Sequence, residues 1–301
     1  MRHLRQLIHE RYWTQIVLLR KLARFGRRTP RQNLAFIRYI FPYTDLYWRL
    51  HSAGNHRTTY VIGLFGSGRW YLFELLKKNL GARAKYLRDT IRLHRRPTSM
   101  VYCNHATIRH ASRFQALPRV TSRILEAVRA GWADLIFIYR HPLDSLLTNW
   151  IWWRAYLRNK SMSTVLSTVY KNTGDFCADL EKNFPEFESF AKGDPAFFAT
   201  SPGPRFLSFP EFVEETELFL RAATLALRLE DFTIDPAKEL SKIVQVMSID
   251  HDVNRLQAAP PHTKPYRCLA VAEKVPQFRD FIDKLDAETK RRIETIGYKV
   301  G

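Results

Sequence analysis

Cysteine is scarce in this 301-residue chain: Cys103, Cys177 and Cys268 are scattered, with no CxxC pair. Neither a disulfide framework nor a thiolate zinc site is suggested, and the pattern predicts reduced thiols in a cytosol-like compartment. No stretch approaches the roughly 20 uncharged apolar residues that a membrane-spanning helix needs. The N-terminal residues also lack a signal-peptide pattern, so the expected location is the cytoplasm. No internal repeat or low-complexity tract is found. Acidic residues are few, 29 against 48 Lys and Arg, a formal net charge of +19. What the chain does have is 46% hydrophobic residues, 13% aromatics and seven Trp, enough for one substantial core and against disorder.

A surplus of positive charge points to an anionic partner: nucleic acid, phospholipid or a phosphorylated small molecule. Residues 1–57 hold twelve Arg or Lys and two acids, Glu10 and Asp45, so ten of the nineteen surplus charges sit there. Within this segment, residues 3–25 read as a basic amphipathic helix. Leu4, Ile8, Tyr12, Ile16, Leu19 and Leu22 recur at helical spacing, with Arg20, Arg24, Arg27 and Arg28 beside them. Two readings stand for residues 3–28, a helix packed on the domain and attachment to an anionic membrane surface. The expected division is a basic helical segment over 1–57 and one enzyme-sized domain over 58–301.

Short apolar runs alternate with helical patterns from Tyr60 onward. Tyr60–Phe65, Met100–Asn104, Leu135–Tyr139 and Leu225–Leu229 read as buried strands. Trp70–Leu80, Thr121–Ala130, a segment from Pro142, residues 161–183 and Pro236–Met247 read as helices, the first two closed by Gly81 and Gly131. Pro185–Pro210, rich in Pro, Gly and Phe, reads as a long irregular connection. Strands alternating with helices predict an α/β fold whose parallel sheet is covered on both faces.

Two strand ends carry chemistry. Gly63-Leu-Phe-Gly66-Ser67-Gly68-Arg69-Trp70 has the spacing GxxxxGK[ST], with Arg69 for the Lys and Trp70 for the hydroxyl residue. Small residues between a strand and a helix let backbone N–H groups close on a phosphate at the helix start. The hydroxyl missing at position 70 is the group that would hold Mg²⁺ on a nucleoside triphosphate. The loop thus suits a phosphate and suits Mg-ATP hydrolysis poorly; a purely structural turn explains it as well. The second segment, Leu135-Ile-Phe-Ile-Tyr-Arg140-His-Pro142-Leu-Asp144-Ser-Leu-Leu-Thr148, delivers Arg140 to the C-terminal end of a buried strand, where open α/β sheets bind ligands. Pro142 suits the first helical turn, Asp144 is placed to cap or favour that turn, and Thr148 is spaced to share a phosphate with Arg140.

Together these segments resemble PAPS-dependent sulfotransferases, which use 3′-phosphoadenosine 5′-phosphosulfate (PAPS). The family's phosphosulfate loop reads roughly [KR]-[ST]-G-T-[TH]-[WY]-L, matched here by Ser67, Gly68, Tyr71 and Leu72. Its 3′-phosphate motif R-x-P-x-D-x-x-x-[ST] is matched at every position by Arg140, Pro142, Asp144 and Thr148. Leu227-Arg-Leu-Glu230-Asp231-Phe-Thr-Ile-Asp235-Pro236 is similar to a third family segment, and Ile296-Gly297-Tyr298 looks like the end of bacterial members. The resemblance covers about residues 58–301. It implies a three-layer P-loop NTPase-like fold with a central parallel sheet, PAPS as co-substrate and no metal. It also implies cofactor contacts from Gly66, Ser67, Gly68, Arg69, Trp70, Tyr71, Arg140 and Thr148. Lys264 and Arg267, in Pro261-His-Thr-Lys-Pro-Tyr-Arg267, stand where relatives have a basic phosphate-closing loop, although the glycines of that loop are missing.

The family's loop Lys or Arg is Gly66 here. Either Arg69 supplies that charge from a different backbone position, or a local deletion shifts the register, or catalysis is impaired. For the general base the resemblance offers His105, at the end of Val101-Tyr-Cys-Asn-His105, then Asp89 and Glu74. Trp150, Trp152, Trp153 and Tyr156 read either as a sugar-stacking wall or as core. The implied partner is a small-molecule or glycan acceptor, with no nucleic acid. Two rival readings share the fold, a nucleotide or sugar kinase and a non-catalytic protein that binds nucleotide or membrane.

Overall fold

The computed structural model describes residues 58–81, 84–86, 101–105, 118–200, 206–248, 256–258 and 267–300. The basic segment 1–57, Asp89 and Lys264 lie outside the described residues. Five strands form one parallel sheet: β1 (Thr58–Gly63), β2 (Ala84–Tyr86), β3 (Val101–His105), β4 (Ala133–Tyr139) and β5 (Leu225–Arg228), in the order β2-β3-β1-β4-β5. β1 is central, running in register from Thr59 opposite Val101 to Gly63 opposite His105 on one side. On the other side it runs from Thr58 opposite Ala133 to Gly63 opposite Ile138.

Side chains of β1 and β4 alternate between two helical layers, as the period of two in a strand requires. Tyr60, Ile62, Leu135 and Phe137 pack with Ile124 and Leu125 of α2 (Pro118–Arg129) and with Phe212 and Phe219 of α8 (Phe209–Ala222). Val61, Ile136, Ile138 and Leu227 face the other way. They meet Leu72 and Leu76 of α1 (Arg69–Leu80), Phe232 of α9 (Leu229–Ile234), and Leu240 and Ile243 of α10 (Pro236–Val246). A sheet buried on both faces by helices explains why its strands are continuous apolar runs. This is the expected three-layer α/β architecture, with a glycine loop following the central strand as in P-loop folds.

A second body of core lies around α3 (Pro142–Leu157). Trp150 of α3, Phe176 of α5 (Thr173–Lys182), Phe187 and Phe190 of α6 (Phe184–Lys192), and Phe278 of α12 (Pro276–Asp283) are buried together. α4 (Met162–Thr168), α7 (Pro195–Thr200), α11 (Cys268–Lys274) and α13 (Ala287–Thr295) complete the described helices. The expected irregular connection over 185–210 is corrected where the residues are described, while 201–205 lie outside them. Pro185, Pro195 and Pro210 stand in the opening turns of α6, α7 and α8, where a missing N–H costs nothing. Ser208 and Glu211 add a reciprocal capping box to α8. The continuous helix expected over 161–183 is interrupted between α4 and α5, with Asn172 capping the second. The strand expected to reach Leu229 stops at Arg228, where α9 begins.

Candidate functional site

The turn after β1 is built by steric exclusion. A Cβ on Gly63 would stand 2.4 Å from Ser67 Oγ. Ser67 closes the turn, its N–H and its hydroxyl both donating to the Leu64 carbonyl, at 3.2 and 2.7 Å. Gly66 and Gly68 adopt φ of +83° and +85°, the left-handed region that side chains avoid. A Cβ on Gly66 would meet Asn149 Oδ1 and the Ser145 carbonyl, both at 2.9 Å, and one on Gly68 would meet the Leu229 methyls at 2.6 Å. The loop is therefore wedged between α3 and the start of α9. That packing gives a physical reason why position 66 carries no Lys or Arg.

Arg69 opens α1 and is 3% exposed, its guanidinium carbon 6.0 Å from the Trp70 ring centre. Trp70 is half exposed and packs on Phe73. Tyr71 sits edge-on to Phe232, and burial pushes its phenol up to about 12, so it stays protonated at neutral pH.

β4 ends at Tyr139, and Arg140 follows it at the C-terminal edge of the sheet, almost fully buried. Its Nη1 donates to Thr148 Oγ1 at 3.2 Å, and its Nη2 lies 3.2 Å from Asp144 Oδ2. Thr148 donates its own hydroxyl back to the Asp144 carbonyl at 2.9 Å, the i−4 bond of a helical Thr. Asp144 does not cap α3. Its Oδ1 accepts the Cys268 N–H at 2.7 Å, and its Oδ2 also lies 3.2 Å from Arg267 Nη1. Burial alone would raise this carboxyl. Arg140, the Cys268 N–H, His141 and Arg267 outweigh that and hold it below its ordinary value. One carboxylate thus faces two guanidinium groups, and the corner keeps a net positive charge suited to an anion.

Capping falls to His141, whose Nδ1 accepts the Leu143 N–H at 3.3 Å. With Nδ1 as acceptor, Nε2 carries the proton and faces the Lys299 carbonyl at 3.1 Å. Burial lowers the pKa of this imidazole against the opposing pull of Asp144, the Lys299 carbonyl and Glu230, which favours that neutral form. The His141 N–H donates to Glu230 Oε1 at 3.0 Å, and the Tyr298 hydroxyl donates to Glu230 Oε2 at 2.9 Å. The end of β4 is thereby tied to the start of α9 and to residues 298–299. Cys268 Sγ lies 3.7 Å from His141 Nδ1, and burial pushes the thiol up to about 12.

The structure thus brings together the glycine loop, through Gly66 against Ser145 and Asn149, with Arg140, Thr148 and Arg267. His105 ends β3 opposite Gly63, at the same sheet edge, and only its backbone is described. Glu74 points to solvent from α1. Of the two readings of the aromatic cluster, core holds for Trp150 and Trp153, which are buried and stacked on each other at 5.0 Å. Trp152 alone of the three is exposed, at 41%, edge-on to Phe65 of the loop. His141, Ser145 and Asn149 were not anticipated. The signal for the last two was a second pair of polar residues one turn apart, beside Asp144 and Thr148, on a helix rich in apolar residues.

No family model matches this chain, and no curated protein matches it in sequence. Among solved structures, it is similar to the crystal structure of mouse sulfotransferase SULT7A1 complexed with PAP. The identity is 16% over 83% of this chain and 86% of that one, with a TM-score of 0.40. At that level the likeness says nothing of individual residues, and the chemistry of the site stands on the contacts above.

Proposed function

We propose that this chain is a PAPS-dependent sulfotransferase acting on a hydroxyl or amine. The observation that carries the proposal is the buried Arg140–Thr148 pair at the end of β4, on the same helix against which the glycine loop packs. A ligand with two anionic groups suits such a corner. Arg140 Nε is buried and makes no hydrogen bond among the described residues, which fits a binding site for a further oxyanion. Arg140, Thr148 and Arg267 would hold the 3′-phosphate, and Gly66–Tyr71 the 5′ end. Bound there, PAPS supplies the sulfuryl group and leaves as 3′-phosphoadenosine 5′-phosphate. Arg69 is proposed as the cation meeting charge that develops on the leaving phosphate. His105 is proposed as the base that takes the acceptor proton, with Asp89 as the alternative. The acceptor class proposed from the resemblance is a glycan, lipo-oligosaccharide or other cell-surface molecule, with exposed Trp152 as a stacking surface beside the loop.

The test compares two nucleotides. Arg140→Ala should weaken binding of 3′-phosphoadenosine 5′-phosphate by about 2–4 kcal/mol, as for a buried charge-assisted contact, and barely change AMP. Equal losses for both would remove the assignment. Transfer of labelled sulfate from PAPS to acceptors in cell extracts tests the activity itself.

A further inference from the structure

The face of α3 that touches the glycine loop carries polar groups with no partner. Ser145 and Asn149, one turn apart, are 0% and 6% exposed. Ser145 Oγ and Asn149 Oδ1 make no hydrogen bond among the described residues. Leaving a buried polar atom unpaired costs stability, and folded proteins seldom tolerate it without a reason. Residues whose task was to pin α3 to the loop would be bonded to it already, and these touch it without bonding. Asn149 Oδ1 stands 2.9 Å from the point where a side chain at position 66 would begin. A carboxamide has a donor and an acceptor end of nearly equal size, so a half-turn puts Nδ2 where Oδ1 stands.

We infer that Asn149 and Ser145 are additional anion-binding contacts of the glycine loop. The carboxamide N–H and the hydroxyl donate to the oxyanion that the backbone N–H groups of the loop close around. The inference rests on the proposed sulfotransferase reading for the identity of the anion, the 5′-phosphate end of the nucleotide. The polar pair itself is independent of that reading.

The test uses the full chain, titrated with 3′-phosphoadenosine 5′-phosphate, with AMP and with inorganic pyrophosphate. Asn149→Ala and Ser145→Ala should each weaken the two nucleotides by the same factor, about tenfold, because both carry a 5′-phosphate. This equal loss is the opposite of the discrimination expected for Arg140→Ala. Asn149→Leu should bind the nucleotides more weakly yet raise the unfolding midpoint of the ligand-free protein, since it removes an unpaired polar group. Unchanged nucleotide affinity in Asn149→Ala and Asn149→Leu overturns the inference. So does a lowered midpoint in Asn149→Leu with affinity retained. Should the Ala variant fail to fold, near-isosteric Asn149→Asp decides, because its charge should abolish AMP binding; retained binding overturns the inference. A wild-type chain that binds pyrophosphate but neither nucleotide, with that binding lost in Asn149→Ala, keeps the inference and removes the sulfotransferase reading. A wild-type chain that binds none of the three overturns both.

Discussion

Asp144 shows how much one residue can do at this corner. Its carboxylate joins Arg140, Arg267 and the backbone of Cys268, so it fixes the guanidinium of Arg140 and docks the start of α11 at once. Asp144→Asn keeps the shape but leaves two buried or half-buried cations without their counter-charge. The expected loss is about 2–4 kcal/mol at pH 7, in the range for breaking one side of a buried pair. Because its pKa is lower folded than unfolded, the stability it contributes is fully present above the unfolded value of 3.8. It is lost as pH falls through the depressed folded value. Thermal unfolding from pH 7 down to pH 3 should therefore show wild type and Asp144→Asn converging below about pH 4. A gap that stays constant with pH would mean that the contribution of Asp144 is packing and not charge. The Arg140–Thr148 pair was readable from sequence because both ends lie within eight residues on a strand end and one helix. The distant partners of Asp144, Arg267 and Cys268, were not, since 123 and 124 residues separate them from it and no local pattern signals such a contact.

At the scale of elements, the sheet was legible where strands are long and apolar. β1 and β4 are continuous buried runs, and Gly81 marks the end of α1. β2 was missed because three residues carry no periodicity. The helices α6 and α7 and the start of α8 were misread because proline reads as a breaker, although at a helix start it is compatible with the fold. Position 66 shows the same limit at the site: its departure from the family pattern was visible, but the helix that forbids a side chain there was not. His141 joins three elements, capping α3, donating to Glu230 of α9 and facing the Lys299 carbonyl. Its pKa is lowered on folding, so protonation favours the unfolded chain. Stability should decline as pH falls from about 6.5 toward 5. His141→Asn retains a capping side chain and removes this one titration, so its stability should decline less than that of the wild type across that interval. A wild-type midpoint that does not move between pH 7 and pH 5 would contradict this account.

For the whole molecule, charge is the feature that local structure does not explain. More than half of the surplus lies in residues 1–57. We propose that residues 3–28 hold the protein on anionic membranes. Among the described residues no helix is long and apolar enough to cross one. Removing residues 1–28 should abolish salt-sensitive binding to vesicles containing anionic lipid and leave transfer to a soluble acceptor intact. An insoluble truncated chain would favour the helix packed on the domain.

The tie between residues 140–144 and residues 267–299 also sets an order of events in the cell. Chain elongation runs at roughly 5–20 residues per second, so about 8–30 seconds pass between the appearance of Arg140 and that of Tyr298. For most of that interval Asp144 has neither Arg267 nor the Cys268 N–H, and until its end Glu230 lacks the hydroxyl of Tyr298. A nascent chain with its sheet already formed would still lack the closed corner, so the proposed nucleotide site is completed only once residues 267–299 have been made.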